Sequence, residues 1–186
     1  MKLKTILLST MLITLASCAT GGPKLGTGMG FGTHKPPLDN TLVINKRDGL
    51  FRIGSVKAEN TAMDKVLNGN LMPCNSTTFS MPRSNTVGSF MREVFENEIS
   101  TAKKYSVNGT SINVNVKSIV GDQSKLNSGS WKIIIDYTED DKTMTVETTT
   151  TYESKASMFS GCTNTADVFE EALADNLVSY FKKNTK

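Results

Sequence analysis

TSINVNVKSIV, residues 110–120, alternates apolar and polar side chains, with Ile112, Val114 and Val116 on one face and Asn113, Asn115 and Lys117 on the other. Period-two alternation of this kind belongs to a strand with one covered face and one wet face, the usual condition of an antiparallel sheet. The pattern recurs downstream. Trp131, Ile133, Ile135 and Tyr137 alternate with Lys132, Ile134 and Asp136, and an acidic turn follows at Glu139-Asp140-Asp141. From Thr143 to Glu153, Met144, Val146, Thr148, Thr150 and Tyr152 share a side opposite a row of Thr and Glu. The Gly-, Ser- and Asn-rich stretch 121–130 reads as the loop between the first two strands of this meander.

Two amphipathic stretches flank it. From a cap at Ser84 or Asn85 to about Lys104, Val87, Phe90, Met91, Val94, Phe95, Ala102 and Tyr105 fall on one arc, opposite Arg92, Glu93, Glu96, Lys103 and Lys104. Near the carboxyl end, Asn164 is the expected cap of a helix with Asp167 in its first turn and Phe169, Ala172, Leu173, Leu177 and Tyr180 buried. Each arc has one polar intruder, Glu98 in the first and Asn176 in the second. A buried carboxylate is costly unless it is paired, so Glu98 and Asn176 are a candidate buried polar pair.

Toward the amino end, Leu42-Val43-Ile44 reads as a short strand, Asp48-Gly49 as a turn and residues 50–56 as its hairpin partner. Residues 60–82, rich in Asn, Ser, Thr, Gly and Pro, read as an irregular loop tied down at Cys74. The expected fold is therefore α+β: a two-layer sandwich over residues 41–186, with an antiparallel sheet of about five strands and two helices on one face.

Residues 1–17 have the layout of a signal peptide: basic Lys2 and Lys4, an apolar run from Ile6 to Leu15, then Ala16-Ser17 before Cys18. Leu15-Ala16-Ser17-Cys18 resembles the lipobox of bacterial lipoprotein precursors. The resemblance implies cleavage before Cys18, a diacylglycerol on its thiol, acylation of the new amino group and, with Ala19 next, export to the outer membrane. Residues 18–40, with repeated glycines and Pro36-Pro37, then read as a lipidated flexible tether. GMGFG at 28–32 superficially matches a nucleotide-binding loop but has no strand before it or helix after it. With Cys18 assigned to lipid, Cys74 and Cys162 remain as an expected disulfide in a compartment that permits one.

Losing Lys2 and Lys4 with the leader brings the formal charge of +3 close to neutrality, which gives no electrostatic case for a nucleic-acid partner. His34, the only histidine, lies in the tether, so no Ser-His or Cys-His mechanism is available and no enzyme is expected. The acidic turn lacks EF-hand spacing, and neither a metal nor a cofactor is expected. The order of elements is similar in topology to small outer-membrane assembly lipoproteins and to auxiliary lipoproteins of lipid-transporting ABC systems, on no shared motif. The expected function is an envelope-anchored, non-catalytic accessory with a protein partner, docking through the wet face of the sheet or residues 60–82. The alternative is a module binding a small apolar ligand or lipid for an envelope transport system.

Overall fold

The computed structural model describes residues 35–74, 77–125, 128–153 and 163–185. The chain is α+β, running α1 (Leu38–Asn45), β1 (Phe51–Ala58), α2 (Thr61–Asn68), β2 (Leu71–Cys74), β3 (Thr77–Ser80), α3 (Val87–Thr101), β4 (Thr110–Lys125), β5 (Ser128–Glu139), β6 (Lys142–Glu153) and α4 (Thr163–Lys183). The main sheet is four-stranded and mixed, in the order β1-β4-β5-β6, and β2 pairs with β3 in a separate two-stranded ribbon.

The meander forms as its alternation requires. Antiparallel β4, β5 and β6 turn Ile112, Val114, Val116, Trp131, Ile133, Ile135, Tyr137 and Val146 inward, all fully or almost fully buried. The parity of β4 changes midway. Val116 pairs with Ile135 but Ser118 pairs with Ile134, so Lys117 is an extra residue on its strand. This bulge turns Ile119 and Gly121 inward and leaves Val120 exposed. Gly121 lies against the Trp131 ring, where a β-carbon would meet an indole carbon at 2.8 Å. Both strands also run further than the sequence suggests, β4 to Lys125 and β5 from Ser128, which leaves little of the expected 121–130 loop.

β1 is not half of a hairpin. It lies parallel to β4, with Phe51 opposite Thr110 and Ile53 opposite Ile112, and the crossover between them contains α2, the β2–β3 ribbon and α3. A parallel neighbour needs a connection of this length. The expected strand at Leu42-Val43-Ile44 belongs to α1, which follows Pro37 and carries Asp39 in its first turn, where the helix dipole favours an acid. Three β-branched or apolar residues are too short a run to outweigh that start. α1 thus begins at Leu38, inside the stretch expected as tether. The Asp48-Gly49 turn is present, with Gly49 at φ +93°, but it joins a helix to a strand.

The expected loop at 60–82 is instead α2 followed by the ribbon. Asn60 caps α2, its side chain accepting from the Met63 N–H at 3.0 Å, and Met63, Val66 and Leu67 form the packed side. Met72, Cys74, Phe79 and Met81 of the ribbon segment are buried, and Phe79 meets Trp131 and Phe169 edge-on.

α3 packs against β1, and α4 against β5 and β6; the two helices touch each other and carry α1. The cap of α3 is Thr86, whose Oγ1 accepts from the Ser89 N–H at 3.1 Å, while Asn85 turns its side chain to Glu93. α3 ends in a left-handed residue, Lys103 at φ 58°, and the Lys104 N–H closes on the Ile99 carbonyl at 2.9 Å. This is the Schellman arrangement with lysine where glycine is usual. α4 begins at Thr163, so Asn164, the expected cap, is already helical; the side chains of Asn164 and Asp167 lie outside what the structure describes.

Candidate functional site

Three polar arrangements interrupt the apolar interior. The first joins residues far apart in sequence. Arg47, just past α1, grips Glu139 at the end of β5 with two parallel bonds, Nη1 to Oε2 at 2.8 Å and Nη2 to Oε1 at 3.0 Å. The Tyr180 hydroxyl of α4 donates a short hydrogen bond to the same carboxylate. The guanidinium also lies over the Phe51 ring at 4.9 Å, and Lys104 Nζ holds the Arg47 carbonyl at 2.7 Å. Burial pushes the Glu139 carboxyl up, but the bonds from Arg47 and Tyr180 outweigh it and leave its pKa below the usual carboxylate value. Burial and the neighbouring carboxylate push the Tyr180 hydroxyl well above the ordinary tyrosine range.

The second centres on Asn176. Its Oδ1 accepts from the Tyr137 hydroxyl at 2.9 Å, and its Nδ2 faces the carbonyls of Ile133 and Val146 at 3.2 and 3.4 Å and Thr148 Oγ1 at 2.9 Å. Tyr137 stacks on Tyr180 with centroids 4.6 Å apart, so the two arrangements share a wall. The third is Glu98, buried in α3, whose Oε2 faces Asn40 Nδ2 of α1 at 3.4 Å.

The expected Glu98–Asn176 pair is therefore corrected. Asn176 spends its hydrogen-bonding capacity on β5, β6 and Tyr137, while Glu98 faces α1. The sequence gives both residues as buried and polar but cannot give their partners, because each bond spans a separation in sequence of 28 to 58 residues. Arg47, Glu139 and Tyr180 were not expected together. Glu139 read as part of an acidic turn and Tyr180 as core, and the link between Arg47 and Glu139 spans 92 positions.

Two clefts adjoin these groups. One of about 360 Å³ lies between α1, β6 and α4, walled by Asp39, Thr148, Thr150, Asp175, Ser179 and Lys182 among others. Another of about 310 Å³ lies beside Arg47, Glu139 and Tyr180. Both are at the small end for ligand sites, and their walls mix polar groups with apolar ones, Val43 and Val178 in the first and Met144 in the second. Among the described residues no group of three His, Cys, Asp or Glu side chains is placed to hold a metal ion.

Cys74 is buried and disulfide-bonded. Cys18, Cys162 and His34 lie outside the described residues, so the lipidation site, the Cys74–Cys162 pairing and the place of the histidine are not described. No helix among the described residues is long and apolar enough to cross a membrane.

An α+β chain with a mixed sheet and polar clasps of this kind defines a fold, not a chemistry. The chain matches no protein-family model and no curated protein. Its fold is similar to that of protein XCC0632 from Xanthomonas campestris, described as belonging to DUF330, with TM-score 0.51 and 9% identity over 75% of this chain and 86% of that one. A solved uncharacterized protein aligns with TM-score 0.41 and 10% identity over 73% of this chain and 89% of its own. At these identities the likeness to XCC0632 concerns the fold alone.

Proposed function

We propose that the chain is a lipid-anchored, non-catalytic accessory of the bacterial cell envelope, fixed to the outer membrane through Cys18, with the folded domain docking on an envelope protein. The observation that carries the non-carrier part of this reading is the filled space between helices and sheet. Trp131, Phe169, Phe90, Phe95, Tyr137 and Phe181 are each fully buried there. Trp131 and Phe169 approach to 4.7 Å between centroids. Side chains packed in this way favour the accessory reading over a lipid carrier, which would need room for an apolar guest in that place. The anchor itself rests on the lipobox at Leu15-Ala16-Ser17-Cys18. The pairing of Cys74 with Cys162 belongs to the same reading, because it consumes the cysteines that lipid does not.

The docking face is the outer face of the sheet. Its side chains are mostly polar and mutually engaged, with Lys132 on Glu147 at 2.7 Å and Thr145 on Asp136 at 2.6 Å around the apolar Ile134 and Val120, so it stays soluble until a partner covers it. Two measurements test the proposal. Intact mass spectrometry of the native protein must show a cleaved, acylated Cys18. Photocrosslinkers placed at Thr149 and at Lys132 must capture the same envelope protein, while one on the exposed flank of α2 does not. A stoichiometric apolar molecule retained in native mass spectrometry would overturn the accessory reading in favour of a ligand carrier.

A further inference from the structure

Helices α1, α3 and α4 all finish at one end of the sheet. Arg47, just past α1, reaches the end of β5. The segment after α3 pairs with the start of β1, the Phe51 N–H donating to the Lys104 carbonyl at 2.8 Å and the Ser106 N–H to the Phe51 carbonyl at 3.0 Å. Phe181, in the last turns of α4, packs edge-on against Phe51 at 5.2 Å. Each helix finishes in a basic pair: Lys46-Arg47, Lys103-Lys104 and Lys182-Lys183.

Cations at helix carboxyl ends are favoured by the dipole, and that suffices for Lys182 and Lys183. It does not account for Lys103, held in a left-handed conformation where glycine is normal. Nor does it account for the apolar side chains among these lysines. Leu50 is 47% exposed, Tyr105 38% and Val107 70%. They lie in one cluster of loops, because the Thr110 N–H bonds the Leu50 carbonyl, the Gly109 N–H bonds the Ser106 carbonyl, and Tyr105 bridges to Phe51. Arg47 is neutralised by Glu139, while Lys46, Lys103 and Lys183 project exposed. The acids at this end are Asp48, beside Lys46, and Asp140 and Asp141, in the turn before Lys142.

We infer that this end rests on an anionic bilayer surface, with Lys46, Lys103 and Lys183 against lipid headgroups and Leu50, Tyr105 and Val107 entering the interface. Complementary charge and exposed apolar side chains are both required for such seating, and tyrosine is favoured at that depth. The near-neutral total charge hides the patch because it averages over the whole chain. Each lysine near an anionic surface contributes about fivefold in binding. The inference deepens the membrane-anchored reading: acyl chains fix the distance from the bilayer, and this patch fixes which end of the domain faces it.

The test uses the chain carrying Cys18→Ser, which cannot be acylated, so a negative result here leaves acylation of the native Cys18 to be judged separately by mass. Flotation is run with phosphatidylcholine vesicles, with and without phosphatidylglycerol, after removal of residues 1–17, because Lys2, Lys4 and the apolar run of the leader would bind vesicles on their own. Binding should require the anionic lipid, weaken with salt, and fall by well over a hundredfold when Lys46→Glu, Lys103→Glu and Lys183→Glu are combined. Val107→Ser should weaken vesicle binding and leave retention on heparin unchanged. If charge reversal unfolds the chain, the pair Lys46→Gln and Lys103→Gln is read instead, with a loss of about twentyfold. Equal binding to neutral vesicles, an unaffected lysine variant, or retention on heparin without vesicle binding would overturn the inference.

Discussion

Arg47 and Glu139 meet in a bidentate ion pair at 2.8 and 3.0 Å, joining the segment after the first helix to the far end of β5, the middle strand of the meander. Both side chains are mostly shielded, at 18% and 14% exposure. Removing one partner of such a pair leaves the other charge poorly solvated. Arg47→Met should therefore cost about 2 kcal/mol in urea unfolding. Hydrogen exchange should quicken at Val43 and Ile44 of α1 more than at any residue of β5.

The pH dependence of stability follows from the same cluster. The folded Glu139 carboxyl lies below its ordinary value, so its contribution is present above about pH 4.5 and is lost as pH falls through the folded value. Tyr137 and Tyr180 are both raised, Tyr137 chiefly by complete burial. Their contribution is intact below the ordinary tyrosine value and declines as pH rises beyond it, because the unfolded hydroxyls ionise first. Stability measured against pH should fall at both extremes, and Arg47→Met should flatten the acid limb while keeping or steepening the alkaline one, because the guanidinium favours the ionised Tyr180 hydroxyl.

Asn176 shares its polar atoms among Tyr137, Thr148 and the carbonyls of Ile133 and Val146. Asn176→Leu strands a buried hydroxyl and should cost about 3 kcal/mol. Combining it with Tyr137→Phe should cost clearly less than the sum of the two single changes, because the second removes the group the first leaves unpartnered. Strict additivity in denaturant unfolding would show that the bond contributes nothing.

Lys103 occupies a left-handed position at the end of α3. Lys103→Gly should stabilise the fold by about 1 kcal/mol, whereas Lys103→Ala should be close to neutral, since alanine meets the same backbone penalty. Thermal unfolding of the two variants separates conformational relief from the loss of a charge.

The parts of this fold legible in the sequence are those with sustained periodicity: the inward rows of β4, β5 and β6 and the buried arcs of α3 and α4. Even there, the extra residue at Lys117 hides the change of parity that turns Ile119 inward, because a bulge carries no composition of its own. Leu42-Val43-Ile44 has the look of a strand because the helix that encloses it has almost no amphipathic pattern and buries only Ile44. α2 and the ribbon were hidden by the polar composition of 60–82, although Asn60 followed by Met63, Val66 and Leu67 is a cap with helical spacing. The parallel placement of β1 depends on a crossover and has no local signature. Of the polar site, Glu98 and Asn176 announce themselves by interrupting apolar arcs, whereas the Arg47–Glu139–Tyr180 clasp exists only once the chain has folded.

The seat of α1 against α3 and α4 also sets an order of events during biosynthesis. Ribosomes deliver α1 first, yet Glu139 and Tyr180, the groups that grip Arg47, are delivered late. The first of the described helices to be made must wait for nearly the whole polypeptide before it finds its place.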